Sequence, residues 1–501
     1  MDKDNEKSVE LLIFANTMSP ASIILLTIVG MLYLSIVLFI LLDDGDSGWK
    51  VTWLLVIAIF PIVGLVIYLL CGVHYRRFGI MNRLHGKVIE RFRAEIPPEL
   101  TGQLFSDDAV EKVEERYRPL VRLLLGGNPG NKLSEGNSLE IITTGERKWE
   151  LLKKDIAAAQ KFIHIEYFRL GNDKAGREIR DLLMVRAREG VQVRYIHEGF
   201  ANRYIPWRYY REMKEAGVEV KRFSNPRNGL LNYWLRLDSR NHRKIVVIDG
   251  KVAYTGGMNI NNNYRYKWRD THLRLEGPVI HALQASFIDT WLTSGGTLPE
   301  PLPAYFCPDV RGGEGPLKDN LIQIVTDEPD FPFPNVQFSY EWILQNVRDY
   351  IYLENPYFGP PEPVINALKS AALRGVDVRL ILPYKVDTPF IGPVNRSFYT
   401  ECMEAGIRIY QWKGEFIHCK TVVCDDYLTL TGASNMDVRS FQINHEVNAY
   451  VYGREMALAS RKIFLQDLER CQEVNLQQWK ASRKWYDVLL GKILRLADSV
   501  L

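Results

Sequence analysis

The chain has 501 residues, of which 47% are hydrophobic, so it is large enough for two or three domains with cores of their own. Its 63 basic and 60 acidic residues give a formal net charge of +3, which argues against a surface devoted wholly to nucleic acid. Its six cysteines show no regular spacing, so reduced cytosolic thiols are expected instead of a disulfide framework.

Two apolar runs occupy the start of the chain, at residues 23–42 and 51–73, and neither contains a charged residue. Each is long enough to cross a bilayer as a helix, which needs about 20 residues. Pro61 and Gly64 in the second run are tolerated in membrane helices. The length of the first run and the second run close behind it disfavour a cleaved signal peptide. We therefore predict that residues 1–75 form a two-helix transmembrane hairpin.

Charges around the hairpin predict its orientation. Acidic residues at 43–46 separate the two runs, whereas basic residues follow the second run. Lysine and arginine favour the cytoplasmic side, which predicts a multi-pass protein of the cell membrane with its catalytic domain in the cytoplasm. The basic residues fall in a predicted juxtamembrane linker, 76–136, that suits either anionic lipid headgroups or a solvated helix face. They are Arg76, Arg77, Arg83, Lys87, Arg91 and Arg93.

From residue 137 onward, short apolar strands alternate with helical stretches, the pattern of an α/β domain. The pattern occurs twice: the sequence at 188–196 is echoed at 373–381, and the sequence at 215–220 is echoed at 404–409. The duplication predicts two α/β lobes with mixed sheets. Their bounds are 137–295 and 318–501, separated by a connector at 296–317 that is rich in Gly and Pro.

Two segments have no counterpart in the repeat. The first copy carries an apolar insertion at 225–237. We interpret it either as a flap that covers the site described next and contacts lipid chains, or as a simple packing loop. The run 485–501 at the end of the second lobe has helical periodicity and basic flanks. It predicts a packing helix, with contact to a membrane surface as the alternative.

A set of polar residues recurs at the same offsets in both copies, which predicts one site built from two halves of the chain. Alternate residues of a strand share a face, so each His and its Lys point the same way. The Asp begins a hairpin turn, and we expect the glycines that follow to let a ligand approach the backbone. The first copy contains His242, Lys244, Asp249, Gly256, Asn259 and Asp270, and the second contains His418, Lys420, Asp425, Gly432, Asn435 and Glu446.

Doubled His, Lys and Asn suit an anionic phosphodiester, with no metal or other cofactor. Lys244 and Lys420 supply charge, and Asn259 and Asn435 supply amide donors to the non-bridging oxygens. One neutral His attacks phosphorus, and the other, protonated, gives its proton to the departing alkoxide. The remaining carboxylates have two predicted roles. Asp270 and Glu446 are predicted to orient the histidines. Asp249 and Asp425 belong to the motif and are grouped with the catalytic residues, but their positions after the strands favour a structural role.

The motif H-x-K-x4-D followed by G-x-x-N, present twice, resembles that of the phospholipase D superfamily. Within it the chain is most similar to bacterial cardiolipin synthases, on residues 432–440 and on 48–50. The resemblance implies two lobes related by a pseudo-twofold axis and one shared site. It also implies that two phosphatidylglycerol molecules give cardiolipin and glycerol, with His242 as the nucleophile and His418 as the acid.

Three other functions stay open at this point. A phospholipase D-type hydrolase would give the covalent intermediate to water and release phosphatidic acid, and an exposed site would favour it. A nucleic-acid phosphodiesterase is disfavoured by two membrane spans and near-neutral charge. A catalytically silent lipid-binding scaffold is disfavoured by two intact motifs. The acceptor alcohol and the oligomeric state are not determined by the sequence.

Overall fold

The computed structural model describes residues 19–42, 47–68, 108–223, 239–307, 310–313, 315–329, 331–388 and 390–496. It divides into two compact units, Met1–His74 and Tyr75–Leu501. The predicted acidic turn at 43–46, the basic residues from 76 to 93 and the insertion at 225–237 lie outside the described residues.

The first unit contains the apolar helices α1 (Pro20–Leu42), α2 (Ser47–Ile59) and α3 (Pro61–Ile67). Helix α1 has 23 residues, with a mean hydropathy of 2.9 over an 18-residue window, and it is the one helix among the described residues that is long and apolar enough to span a membrane. The second predicted span is interrupted at Phe60, because Pro61 lacks an N–H and takes the first position of a new helix.

The second unit is built on a large sheet of strands from both predicted lobes. The first copy contributes β1 (Leu133–Ile142), β2 (Phe162–Tyr167), β3 (Gln192–Glu198), β4 (Glu219–Phe223), β5 (Lys244–Ile248), β6 (Val252–Gly256) and β7 (His272–Glu276). The second copy contributes β8 (Leu317–Asp327), β9 (Tyr350–Glu354), β11 (Asp377–Pro383), β12 (Arg408–Trp412), β13 (Thr421–Cys424), β14 (Leu428–Gly432), β16 (Glu446–Tyr452) and β17 (Cys471–Glu473). Strands β10 (Phe358–Gly359) and β15 (Met436–Asp437) pair with each other in a separate two-stranded sheet.

Helices cover both faces of this sheet. Those that precede or belong to the first copy are α4 (Arg118–Gly127), α5 (Gly145–Ala158), α6 (Lys174–Arg188), α7 (Trp207–Glu215), α8 (Asn262–Tyr266) and α9 (Ile280–Thr293). Those of the second copy are α10 (Asn335–Asn346), α11 (Glu362–Leu373), α12 (Ile391–Ser397), α13 (Tyr399–Glu404), α14 (Val438–Gln442), α15 (Arg454–Leu468), α16 (Leu476–Ser482) and α17 (Trp485–Leu496).

Strand order shows the duplication directly. From the middle outward the first copy runs β1-β7-β6-β5-β2-β3-β4, and the second runs β8-β16-β14-β13-β9-β11-β12, with β17 added at its edge. Strands β1 and β8 pair antiparallel and join the two halves into one sheet. In each half the last three strands are parallel and the others antiparallel. The predicted fold, two duplicated α/β lobes with mixed sheets, is confirmed.

Four glycines end helices at equivalent places in the two copies. Gly190 and Gly375 follow α6 and α11 with φ values of 95° and 93°, and Gly217 and Gly406 follow α7 and α13 with φ values of 96° and 97°. A residue with positive φ ends a helix and directs the chain into the next strand, and glycine adopts this conformation without the steric strain that a Cβ would cause. The sequence echoes that predicted the duplication are therefore helix ends.

Residues 108–136 were predicted as part of the linker, but the structure gives them ordered elements. Two 3-10 turns, Asp108–Lys112 and Glu115–Tyr117, lead into α4 and then β1. Leu120 and Leu124 on α4 are fully buried in the core that contains β9 and β11 of the second copy. Apolar residues spaced by three or four positions produce this buried face, so the end of the predicted linker packs as part of the second unit.

Candidate active site

The two histidines lie just before equivalent strands, and each is fixed by the backbone of the other copy. The backbone N–H of His242, ahead of β5, donates to the carbonyl oxygen of His445 at 2.9 Å. The N–H of His418, ahead of β13, donates to the carbonyl oxygen of Arg269 at 2.7 Å. Because these two bonds are related by the duplication, they bring both histidines to one place between the lobes.

The carboxylates that were predicted to orient the histidines are exchanged between the copies. Nδ1 of His242 lies 3.0 and 3.1 Å from the two carboxylate oxygens of Glu446, and Nδ1 of His418 lies 2.7 Å from Oδ2 of Asp270. All four side chains are buried. A carboxylate on Nδ1 holds its proton there and leaves Nε2 for chemistry. Each half-site is therefore incomplete without the other copy.

The lysines of the motif lie beneath the histidines. Nζ of Lys244 donates to the backbone oxygen of His242 at 2.6 Å, and Nζ of Lys420 donates to that of His418 at 2.7 Å. Burial lowers the pKa of Lys244 to about 7 and that of Lys420 to about 8. Two buried ammonium groups in one place disfavour each other, so an anion bound above them would be stabilised and would restore their charge.

A cavity of about 330 Å³ opens above the two histidines. Both histidines and both asparagines of the motif line it, whereas the lysines, Asp270 and Glu446 lie behind this lining. Residues that the motif does not include complete the wall with aromatic, basic and small polar groups. They include Phe168, Arg169, Arg240, Tyr264, Trp268, Tyr357, Asp387, Thr388, Ile391, Val394, Asn395 and Arg439.

Comparisons with known proteins agree with this geometry. A family model described as "Cardiolipin synthase, PLD-like domain" matches residues 152–291 and 342–468. The chain belongs to the cardiolipin synthase family. A second model, of a phospholipase D-nuclease N-terminal region, matches residues 28–72, which include most of α1. An apolar helix of spanning length within this match indicates that this family member associates with a membrane.

Curated relatives match along almost the whole chain. A cardiolipin synthase of Halalkalibacterium halodurans is 31% identical over 95% of this chain and 93% of its own length. The major cardiolipin synthase ClsA of Bacillus subtilis is 33% identical over 93% of this chain and 97% of its own length. Among solved structures, phosphatidylserine synthase from Haemophilus influenzae has a TM-score of 0.56 at 15% identity and covers 76% of this chain and 100% of its own. That likeness supports the fold.

The surroundings of the two histidines differ, which the motif alone did not reveal. The Tyr264 hydroxyl lies 3.3 Å from Nε2 of His418, and the rings of Trp268 and Tyr357 lie 5.7 and 6.2 Å from that imidazole. His242 contacts the ring of Phe168 at 5.0 Å. Aligning the copies on their histidines would have signalled the difference. The second copy has Ser440 and Asn444 where the first has Tyr264 and Trp268.

The paired asparagines also differ. Nδ2 of Asn259 donates to the Tyr264 hydroxyl at 2.9 Å, and its Oδ1 accepts from the backbone of Arg169. The backbone N–H of Asn435 donates to Oγ of Ser440, and the buried Oδ1 of Asn435 has no hydrogen-bond partner among the described residues. A buried polar atom without a hydrogen-bond partner is unfavourable in free energy. A polar ligand would therefore gain more by binding beside Asn435 than beside Asn259, whose side chain already has partners.

Burial controls the protonation of the histidines. It lowers the pKa of His242 to about 4 against the opposing effect of Glu446, and it lowers the pKa of His418 well below the ordinary value, with the nearby lysines adding to the effect. It raises the pKa of Asp270 to about 6. Both imidazoles are therefore neutral at pH 7 before an anion enters.

Asp249 and Asp425, grouped with the catalytic residues on sequence, lie outside the cavity lining. The carboxylate of Asp249 accepts hydrogen bonds from the backbone N–H groups of residues 160, 161 and 162. That of Asp425 accepts from residues 348, 349 and 350 and pairs with Arg116 at 3.0 Å. Each holds the start of a neighbouring strand against the hairpin, which agrees with the structural support that their positions in the sequence favoured.

The glycines of the motif also have a structural reason that the sequence analysis did not identify. A Cβ on Gly257 would lie 2.2 Å from Oδ1 of Asp270, and one on Gly256 would lie 2.7 Å from the ring of His272. The absence of a side chain at Gly257 leaves room for the Asp270 carboxylate, and that at Gly256 leaves room for His272. That these glycines also let a ligand approach stays a prediction.

Arg243 and Cys419, between His and Lys in the two motifs, face away from the cavity. The Arg243 guanidinium binds Glu328 at 2.6 Å, and Sγ of Cys419 contacts the Thr271 hydroxyl at 3.6 Å. These positions join the copies behind the site, since each contact crosses from one lobe to the other.

Proposed function

We propose that this protein transfers a phosphatidyl group from one phosphatidylglycerol to another and so makes cardiolipin and glycerol. The observation that carries the proposal is the pair of crossed His–carboxylate contacts, His242 with Glu446 and His418 with Asp270, beneath one cavity. Membership of the cardiolipin synthase family agrees with it. One phosphodiester is exchanged for another, so the reaction needs no ATP and no redox step.

In the first half-reaction, Nε2 of His242 attacks phosphorus of the bound phosphatidylglycerol. A P–N bond forms, the P–O bond to the headgroup glycerol breaks, and His418 gives a proton to the departing oxygen. The low pKa of His242 supports its role as the neutral nucleophile. The Tyr264 hydroxyl beside Nε2 of His418 supports a role for His418 in moving protons.

The bound phosphodiester provides the charge that this step requires. Its negative charge, added to that of Asp270, favours the protonated form of His418 and of the two lysines, which burial disfavours in the empty site. Substrate binding thus takes up protons and prepares the acid. Asn259 and Asn435 at the wall are the amide donors for the non-bridging oxygens.

In the second half-reaction, a hydroxyl of the second phosphatidylglycerol attacks the phosphohistidine. His418 takes the hydroxyl proton, the new P–O bond forms and the P–N bond to His242 breaks. Burial of the two histidines, 8% and 4% exposed, favours a lipid alcohol over bulk water as the acceptor.

We also propose how the chain is divided and placed. Residues 1–75 anchor it in the cell membrane as a two-span hairpin, and lobes 137–295 and 318–501 carry the site on the cytoplasmic side. The acidic turn and the basic residues after the second run support this orientation.

The test is mass spectrometry of the products that the purified full chain makes from phosphatidylglycerol in detergent. Wild type should give cardiolipin and glycerol in equal amounts, and His242→Ala and His418→Ala should give neither. The exposed substitution Lys251→Ala is the matched control and should leave turnover unchanged. Phosphatidic acid as the main product would make the protein a hydrolase, and turnover by His242→Ala would overturn the covalent mechanism.

A further inference from the structure

Helix α17, near the end of the second lobe, packs one face on the protein and exposes another apolar face. Gly491 is buried, and a Cβ there would lie 3.0 Å from the backbone oxygen of Pro393, so the helix axis approaches α12 closely. Arg495 pairs with Glu401, and its guanidinium lies 3.8 Å from the ring centroid of Phe398. These contacts hold α17 in a fixed position on the catalytic unit.

The opposite face of α17 carries large apolar side chains at helical spacing. Trp485, Leu489 and Ile493 follow one another at intervals of four residues and are 76%, 49% and 53% exposed. Tyr486 and Leu490 extend the same face and are also exposed. A contiguous apolar face of this kind is unfavourable in water and is typical of a surface that another apolar phase covers.

Basic residues border this face. Lys484 precedes α17 and Lys492 lies within it, and both are exposed, whereas Asp487 is the one acidic residue of the helix. Aromatic and aliphatic groups with lysines at their border are the composition that binds an anionic bilayer surface.

The face is connected to the cavity through α12. Ile391, Val394 and Asn395 of α12 line the cavity, and α17 packs on this same helix at Pro393. Phe390, directly before α12, is 57% exposed. A bilayer on the exposed face of α17 would therefore be separated only by the width of α17 from a helix that forms part of the cavity wall, and Phe390 is exposed at the start of that helix.

We propose that the exposed face of α17, with Phe390, docks the catalytic unit on an anionic lipid bilayer so that lipid headgroups reach the cavity along α12. The docking surface is distinct from the N-terminal apolar helix and is part of the catalytic unit itself. The route into the cavity rests on the proposed phosphatidyl transfer, whereas lipid contact by α17 does not.

The first experiment detects the occupant of this face without turnover. The photoreactive residue p-benzoylphenylalanine replaces Leu489 in the full chain, which is reconstituted in vesicles of phosphatidylglycerol and phosphatidylcholine and irradiated. The same residue in place of Leu373, a leucine 73% exposed at the end of α11, is the control. Lipid adducts at position 489 should exceed those at position 373 by about tenfold. Adducts to peptide from a second copy or from the hairpin would overturn the proposal.

The second experiment separates docking from chemistry. The double variant Leu489→Glu/Ile493→Glu should lose about tenfold in rate on long-chain phosphatidylglycerol in vesicles and keep its rate on monomeric dihexanoyl phosphatidylglycerol. Leu373→Glu should match wild type on both substrates. Equal loss on both substrates would show damage to the fold or site and would overturn the docking role. If wild type makes no cardiolipin, the proposed function fails, and the lipid adducts still decide the docking surface.

Discussion

The two half-sites share a backbone plan but differ in what surrounds each histidine. His242 has Glu446 on Nδ1 and the ring of Phe168 beside it, whereas His418 has the shorter Asp270 together with Tyr264 and Trp268. Strand order and helix ends repeat closely in both copies. Duplication therefore supplied two equivalent histidines, and divergence of their neighbours gave them unequal surroundings, which support the unequal chemical roles proposed for them. Four measurements can break or sharpen this comparison.

The largest expected effect concerns the histidines themselves. His242→Ala should lower turnover by about 10⁴-fold or more on every substrate, because no other group replaces the nucleophile. His418→Ala should lose about 10³-fold in turnover on phosphatidylglycerol but recover most of that rate in the first-turnover burst of p-nitrophenol from phosphatidyl-p-nitrophenol, whose leaving group needs no proton. Acid-labile phosphohistidine should be trapped at position 242. Rescue of His242→Ala in place of His418→Ala would reverse the two roles.

The carboxylates test whether the crossed partnership matters to the chemistry. Glu446→Gln and Asp270→Asn should each cost about 100-fold on phosphatidylglycerol, since the amide no longer stabilises the imidazolium or fixes the tautomer. In the first-turnover burst of p-nitrophenol from phosphatidyl-p-nitrophenol, Asp270→Asn should be largely rescued, as His418→Ala is, and Glu446→Gln should not. The opposite pattern would show that each carboxylate serves the histidine of its own copy.

The pH dependence of kcat/KM should report the buried lysines. Phosphate binding needs their protonated forms, so activity should fall by up to about tenfold per pH unit as pH rises through the Lys244 pKa of about 7 and the Lys420 pKa of about 8. Because the pKa of His242 is about 4, its neutral form should persist down to about pH 5. Lys244→Arg should remove the earlier alkaline loss, with exposed Lys251→Arg as the control. An unchanged pH profile in Lys244→Arg would show that a group other than Lys244 causes the earlier alkaline loss of activity.

The smallest effect on turnover is expected at the two supporting aspartates. Asp249→Asn and Asp425→Asn should each lower the free energy of unfolding by about 2 kcal/mol, because each carboxylate accepts three backbone N–H groups. Asp425→Asn should cost more, since it also loses the ion pair with Arg116. Thermal unfolding in detergent measures this, with exposed Asp181→Asn as the control. A large loss of kcat per folded molecule would return these residues to the chemistry.

The sequence was sufficient for the duplicated fold and for the motif residues that the structure brings together, but not for the aromatic and basic residues that complete the cavity wall. Strand periodicity, the glycines at helix ends and the two motifs are patterns of residues close together in the sequence, so they can be recognised without a structure. Alignment of the copies would also have singled out Tyr264, which faces Ser440 in the repeat. The end of the predicted linker was missed because α4 is short, and only its packing on the second copy shows that it belongs to the catalytic unit.

By itself, the sequence determined that His242 and His418, with Lys244 and Lys420, recur at matching offsets, and it predicted from them one phosphodiester site. Only the tertiary structure decided that Glu446 serves His242 and Asp270 serves His418. The reason is geometric: in each copy the segment ahead of the carboxylate strand pairs with the segment ahead of the other copy's histidine strand. Spacing along the chain therefore specifies which residues lie at the end of each strand. Only the contact between the lobes specifies which carboxylate faces each histidine.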